Sequence, residues 1–131
     1  MNTESQKLTF YRGLLFGLRA AGLPEFLAEG PRFHRAFGLT LQQAVQLFDD
    51  DQFINMVDFN IDPVFGVYSE ANEMLLEGEQ DTVLSLANPH LRRAKFEVDE
   101  EEAREELYRL PQPEVFEKLG EFFKAALADA A

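Results

Sequence analysis

Apolar side chains recur every three or four residues in segment after segment of this chain, and proline or glycine punctuates nearly every run. That period lets an α-helix bury one stripe and leave the rest in water, so it confines the chain to a helix-rich fold. Thr3 and Gln6 have the spacing of a capping box; Leu8, Tyr11, Leu15 and Leu18 follow with Leu14 beside them, and Gly22 with Pro24 closes the run. The spacing predicts a helix over residues 4–21. Gly13 and Gly17 stand four apart on it, and either admit a closely packed neighbouring helix or are merely tolerated.

Pro24, Gly30, Pro31 and Gly38 break up residues 23–38, so short helical turns are expected there, with Phe26, Phe33 and Phe37 fastening the connector to the core. Thr40 and Gln43 repeat the capping-box spacing ahead of Leu41, Ala44, Val45 and Phe48, which predicts a helix over 41–49. Phe53, Met56 and Val57 fit a short helix near 51–59, although the alternation there also permits a strand. Val67, Ala71, Met74 and Leu75 predict a helix over 66–77 with Gly78 as its C-cap. Asp81 opens a segment that reads as either helix or buried strand, and Asn88 with Pro89 opens a short helix to about Lys95.

Asp99, Glu100, Glu101 and Glu102 load the start of another helix with negative charge, which the positive end of the helix dipole favours. Glu100 with Arg104 and Glu105 with Arg109 are spaced as i,i+4 pairs on it. Pro111 and Pro113 then separate it from a last helix, whose wide apolar face carries Val115, Leu119, Phe122 and Ala126. That face belongs either to the core or to a homodimer. With 131 residues, no linker and no repeat, the expected architecture is all-α, or mostly α: a compact single domain over residues 1–131 with five to seven short-to-medium helices.

Charge is distributed far less evenly than apolarity. No lysine or arginine occurs between Arg35 and Arg92, yet ten carboxylates do: Asp49, Asp50, Asp51, Asp58, Asp62, Glu70, Glu73, Glu77, Glu79 and Asp81. The whole chain has 24 acids against 12 bases, so ten of its twelve net negative charges lie in this block. Such a field repels nucleic acid and anionic membrane surfaces, which are bound through cations, and attracts basic proteins. Apolar content of 46%, with 13 Phe, is ample for a folded core.

The chain lacks most motifs that carry chemistry. Absence of cysteine removes disulfides and thiolate chemistry, and leans the chain towards a reducing, cytoplasmic setting. The polar opening MNTESQ leads to the expectation of a soluble, unprocessed chain, since no stretch approaches the roughly 18 apolar residues of a membrane span. No GxSxG, GxxxxGK[ST] or GxGxxG motif occurs, and neither His34 nor His90 has an acid three or four positions away, so no cofactor and no catalytic residue is assigned. Arg32, His34 and Arg35 form a small basic spot, read as a solvated face.

One motif carries a mechanism: Asp58, Asn60 and Asp62 match the D-x-N-x-D opening of a calcium loop. The remainder departs from that pattern, with Pro63 where the turn needs glycine and Ser69 where a closing glutamate belongs. The stronger expectation is a non-enzymatic acidic protein-binding module, of inhibitor, immunity or adaptor type, that docks a basic partner. Its surface would comprise Asp49, Asp50, Asp51, Phe53, Asp58, Phe59, Asp62, Phe65, Tyr68, Glu70 and Glu73, with aromatic anchors supplying affinity and carboxylates supplying selection.

Overall fold

A computed structural model describes residues 3–28, 30–47, 61–62, 67–86 and 93–129. In chain order the elements are α1 (Thr3–Ala20), β1 (Glu25–Leu27), α2 (Gly30–Leu47), β2 (Ile61–Asp62), β3 (Val67–Tyr68), α3 (Ser69–Gln80), β4 (Leu84–Leu86), β5 (Arg93–Phe96), α4 (Glu100–Leu107) and α5 (Pro113–Asp129). The fold is mostly α, as the apolar periodicity requires, with five helices among the described residues. It also holds strands, of which β4 realises the buried-strand alternative read after Asp81 and β1 and β5 were not expected.

α1 and α5 form the most extensive packing, α2 lies against α5, and α4 lies against α1. Phe10, Leu14, Leu18, Phe33, Phe37, Phe116, Leu119 and Phe123 are all buried in one continuous cluster, so the helices share a single core. The apolar face of α5 is largely spent here: Phe116, Leu119, Phe123 and Ala126 are buried within the chain. Gly13 and Gly17 do admit a close neighbour. A Cβ on Gly17 would lie 2.5 Å from the Phe116 carbonyl oxygen, so α5 approaches α1 at van der Waals contact between backbones.

α1 ends in a Schellman motif: Leu23 N–H donates to the Leu18 carbonyl at 3.3 Å and Gly22 N–H to that of Arg19 at 2.9 Å, with Gly22 at φ 98°. α3 ends the same way, Val83 N–H donating to Gly78 at 2.9 Å and Thr82 N–H to Glu79 at 3.2 Å. The left-handed position there is Thr82, at φ 58°. Gly78, expected as the cap, is instead a helical residue, packed where a Cβ would meet Leu15 Cδ1 at 2.8 Å.

Three further expectations are corrected. α2 begins at Gly30, with Pro31 in its first turn, and runs through Gly38 rather than starting at 41. Thr40 is therefore a buried mid-helix residue whose hydroxyl donates to the Ala36 carbonyl at 2.8 Å, not a cap. The helix expected from Asn88 to about Lys95 is contradicted at its end, residues 93–95, its start lying outside the described residues: β5 pairs antiparallel with β1 (Phe26 opposite Ala94) and with β4 (Ser85 opposite Lys95), in the order β1-β5-β4. Phe26, Ala94, Leu84 and Leu86 are buried on the core face of this sheet, while Leu27, Arg93 and Lys95 are exposed. β2 and β3 form a separate antiparallel pair, Asp62 opposite Val67. The expected helix near 51–59 lies outside the described residues.

Candidate functional site

α4 starts where the sequence places it. Asp99 has extended backbone and its carboxylate accepts the Glu102 N–H at 2.8 Å, which satisfies one free donor of the first turn. Ala103 and Leu107 point inward and are fully buried. The opposite spacing follows: Glu102 and Glu106, four apart, share the face turned towards β4 and the α3–β4 turn.

Between these elements lies a cleft of about 610 Å³. Its apolar floor is Phe16, Val83, Leu84 and Val98, and its rim carries five carboxylates: Glu79, Asp81, Glu97, Glu102 and Glu106. An adjoining hollow of about 440 Å³ shares Phe16, Asp81, Val83 and Glu106 and adds Arg12, Arg109 and Leu110. The strained residue Thr82 also lines the cleft, its hydroxyl donating to the Asp81 carbonyl at 2.6 Å.

Two rim carboxylates are paired with arginines. Arg12 reaches across from α1 to Asp81 at 3.0 Å, and Arg109 reaches Glu106 at 3.0 Å. Glu79, Glu97 and Glu102 make no ion pair with a described residue. Other cations are held elsewhere: Arg19 donates to the Val98 carbonyl at 2.9 Å and lies 3.6 Å from Glu100, Arg93 meets Glu25 at 3.1 Å, and Lys124 donates to the Ala21 carbonyl at 2.8 Å. Arg104 and Arg109 therefore take partners other than those their i,i+4 spacing suggested: Arg104 lies 3.5 Å from the Ala20 carbonyl and Arg109 pairs with Glu106.

Of the surface read from the sequence, Asp49, Asp50, Asp51, Phe53, Asp58, Phe59, Asn60 and Phe65 lie outside the described residues. Asp62 is in β2, Tyr68 in β3 and Glu70 in the first turn of α3, described in backbone only. Glu73 is exposed and accepts the Tyr11 hydroxyl at 2.8 Å, which ties the block to α1. The calcium-loop reading of Asp58, Asn60 and Asp62 thus rests mainly on undescribed positions. Among the described residues no group of three or more histidines and carboxylates is arranged to hold a metal ion.

The cleft draws on both halves of the chain's acidity. Glu79 and Asp81 come from the cation-free block, whereas Glu97, Glu102 and Glu106 come from beyond it and were not singled out by counting along the sequence. The available clue was the i,i+4 spacing of Glu102 and Glu106, since like charges stacked on one helix face carry a small cost that a partner of opposite charge relieves.

His34 was expected on a solvated face with Arg32 and Arg35. It is buried, packed edge-on to the Phe33 ring, and burial lowers its pKa from the ordinary 6.5. Arg32 and Arg35 beside it are exposed, so the expected basic spot loses its imidazole to the core.

Among the described residues no helix is long and apolar enough to cross a membrane. Comparison with family models, with curated proteins and with solved structures finds no significant match.

Proposed function

We propose that this chain is an acidic protein-binding module, without catalytic turnover, that docks a basic protein, and that the cleft between α4 and β4 is part of its docking surface. One observation carries the reading: five carboxylates ring an apolar floor, and three of them have no ion pair among the described residues. A basic side chain arriving there meets oriented negative charge, while the floor offers Phe16, Val83, Leu84 and Val98 to an apolar anchor. Inhibitor, immunity and adaptor proteins of this size act by such complementarity, and the cysteine-free composition accords with work in the cytoplasm. The undescribed part of the acidic block, including Asp49, Asp50 and Asp51, extends the same electrostatic preference.

The test is capture from a native extract by the wild-type chain and by a Glu97→Gln, Glu102→Gln, Glu106→Gln variant, at low and at high salt. Support is a basic protein retained by the wild type, released as salt rises, and lost by the variant. Retention of the same protein by both chains would remove the cleft from the surface. Absence of any basic protein at low salt would end the reading.

A further inference from the structure

We infer that the cleft receives an extended segment of the partner, laid along the outer edge of β4, in which apolar residues alternate with lysine or arginine. The inference rests on the reading of the cleft as a surface for a basic protein, and specifies how that protein enters.

Three observations meet here. First, β4 is an outer strand: among the described strands its one neighbour is β5, which leaves its other edge without a strand partner. Second, Leu84 and Ser85 of that strand line the cleft. Third, the cleft lining combines buried apolar side chains, Phe16 and Leu84, with the exposed carboxylates Glu97 and Glu102. An extended chain sends successive side chains to opposite faces, so a segment added beside β4 would place one alternate set on the floor and the other on the rim.

Charge selects this occupant over others. Unpaired edges are commonly guarded by lysine or proline, and the Leu84-Ser85-Leu86 strand carries neither. Its guard is the negative rim, which repels acidic strands, including a second copy of a chain with net charge −12, and admits a basic one.

The experiment titrates the full chain with synthetic peptides at low ionic strength and follows fluorescence anisotropy. Probes are an end-capped octapeptide alternating lysine and valine, the same composition in two blocks, the alternating peptide N-methylated on every second amide in each of the two registers, and spermine. The alternating peptide is expected to bind, and Glu102→Gln with Glu106→Gln to weaken it about tenfold, because two exposed charges are lost. N-methylation in one register, the one that faces β4, should abolish binding while the other is tolerated, and the blocked peptide and spermine should bind more weakly.

Equal binding of all the lysine peptides, methylated or not, would overturn strand addition while leaving the basic-partner reading intact. Equal binding of spermine would replace the peptide with a small polycation. Failure of every probe, or indifference to the glutamine variant, would remove both the inference and the cleft beneath it.

Discussion

Gly17 and Gly120 meet backbone to backbone where α1 crosses α5: a Cβ on Gly120 would stand 2.8 Å from Gly17 Cα and closer still to the Gly17 carbonyl group. Neither contact can be relieved by rotating a side chain, so any added atom has to separate the two helices that share the largest packing in the molecule. Gly120→Ala is therefore expected to cost about 3 kcal/mol, the upper range of overpacking penalties. Gly22→Ala is the contrast: φ 98° strains it, yet its nearest foreign atom would be 3.6 Å away. Its expected cost is ~1 kcal/mol, from conformation alone. Urea denaturation of the two variants checks the order, and equal losses would contradict the backbone-contact account.

Arg12 and Asp81 join α1 to the rim of the cleft, but both side chains are substantially exposed, at 54% and 36%. An ion pair in that setting is screened and entropically costly to hold, so a double-mutant cycle with Arg12→Ala and Asp81→Asn should return a coupling below about 1 kcal/mol. The coupling should shrink further in high salt. The consequence for binding is larger than for folding, because removing the Arg12 guanidinium leaves Asp81 open to a basic partner. Arg12→Ala is predicted to tighten binding of the lysine–valine peptide, and a clear weakening would count against the cleft.

His34 links stability to pH. Burial lowers its pKa in the fold, whereas the unfolded chain keeps a value near 6.5. Below that value the unfolded state binds more protons than the native one, so stability rises with pH across this window. Its contribution is complete above 6.5 and is lost as pH falls from there through the lowered native pKa. Urea midpoints measured from pH 8 to pH 5 should decline on acidification, and the decline should be smaller in His34→Gln. Identical profiles for the two chains would remove His34 as the cause.

Much of the core was legible because it rests on local periodicity. Leu14, Leu18, Leu119 and Ala126 follow from helical spacing alone and are buried, whereas Val115 and Phe122 of the expected α5 stripe are only half-buried and the neighbouring Phe116 and Phe123 take the core. Asp99 was legible too, since an acid before a charged first turn has one good use. Strands were less so: β4 was readable only as one of two alternatives, and Arg93–Phe96 is four residues long, its alternation of exposed and buried positions too short to outweigh an Asn-Pro helix opening just before it. Thr82 hid the end of α3, because a β-branched residue is the last choice for a left-handed position while Gly78 stood nearby. The cleft was hidden for a different reason. Its carboxylates come from α3, its following turn, the bend after β5 and α4, and only tertiary contact brings positions 79 and 106 together.

Thr82 gives the last prediction, and it ties the strained backbone to the cleft. At φ 58° its Cβ crowds the backbone, a cost of about 1–2 kcal/mol for an L-residue, made worse by branching at Cβ. Its hydroxyl returns something by donating to the Asp81 carbonyl at 2.6 Å, but that bond is exposed and competes with water. Glycine at this position would keep the Schellman hydrogen bonds, which use only backbone N–H and carbonyl groups, and would lose the strain. It would also give the unfolded chain more freedom, worth about 0.5–1 kcal/mol in the opposite direction. The balance favours the variant: Thr82→Gly is expected to stabilise the fold by ~0.5–1 kcal/mol. Thr82→Ala, which relieves only the branching, should change stability less than Thr82→Gly does. Because position 82 lines the cleft without contributing charge, neither variant should weaken a salt-sensitive basic peptide more than about twofold. Denaturant midpoints and peptide titration read the two effects separately, and a destabilised Thr82→Gly would show that the hydroxyl, not the backbone, governs how α3 ends.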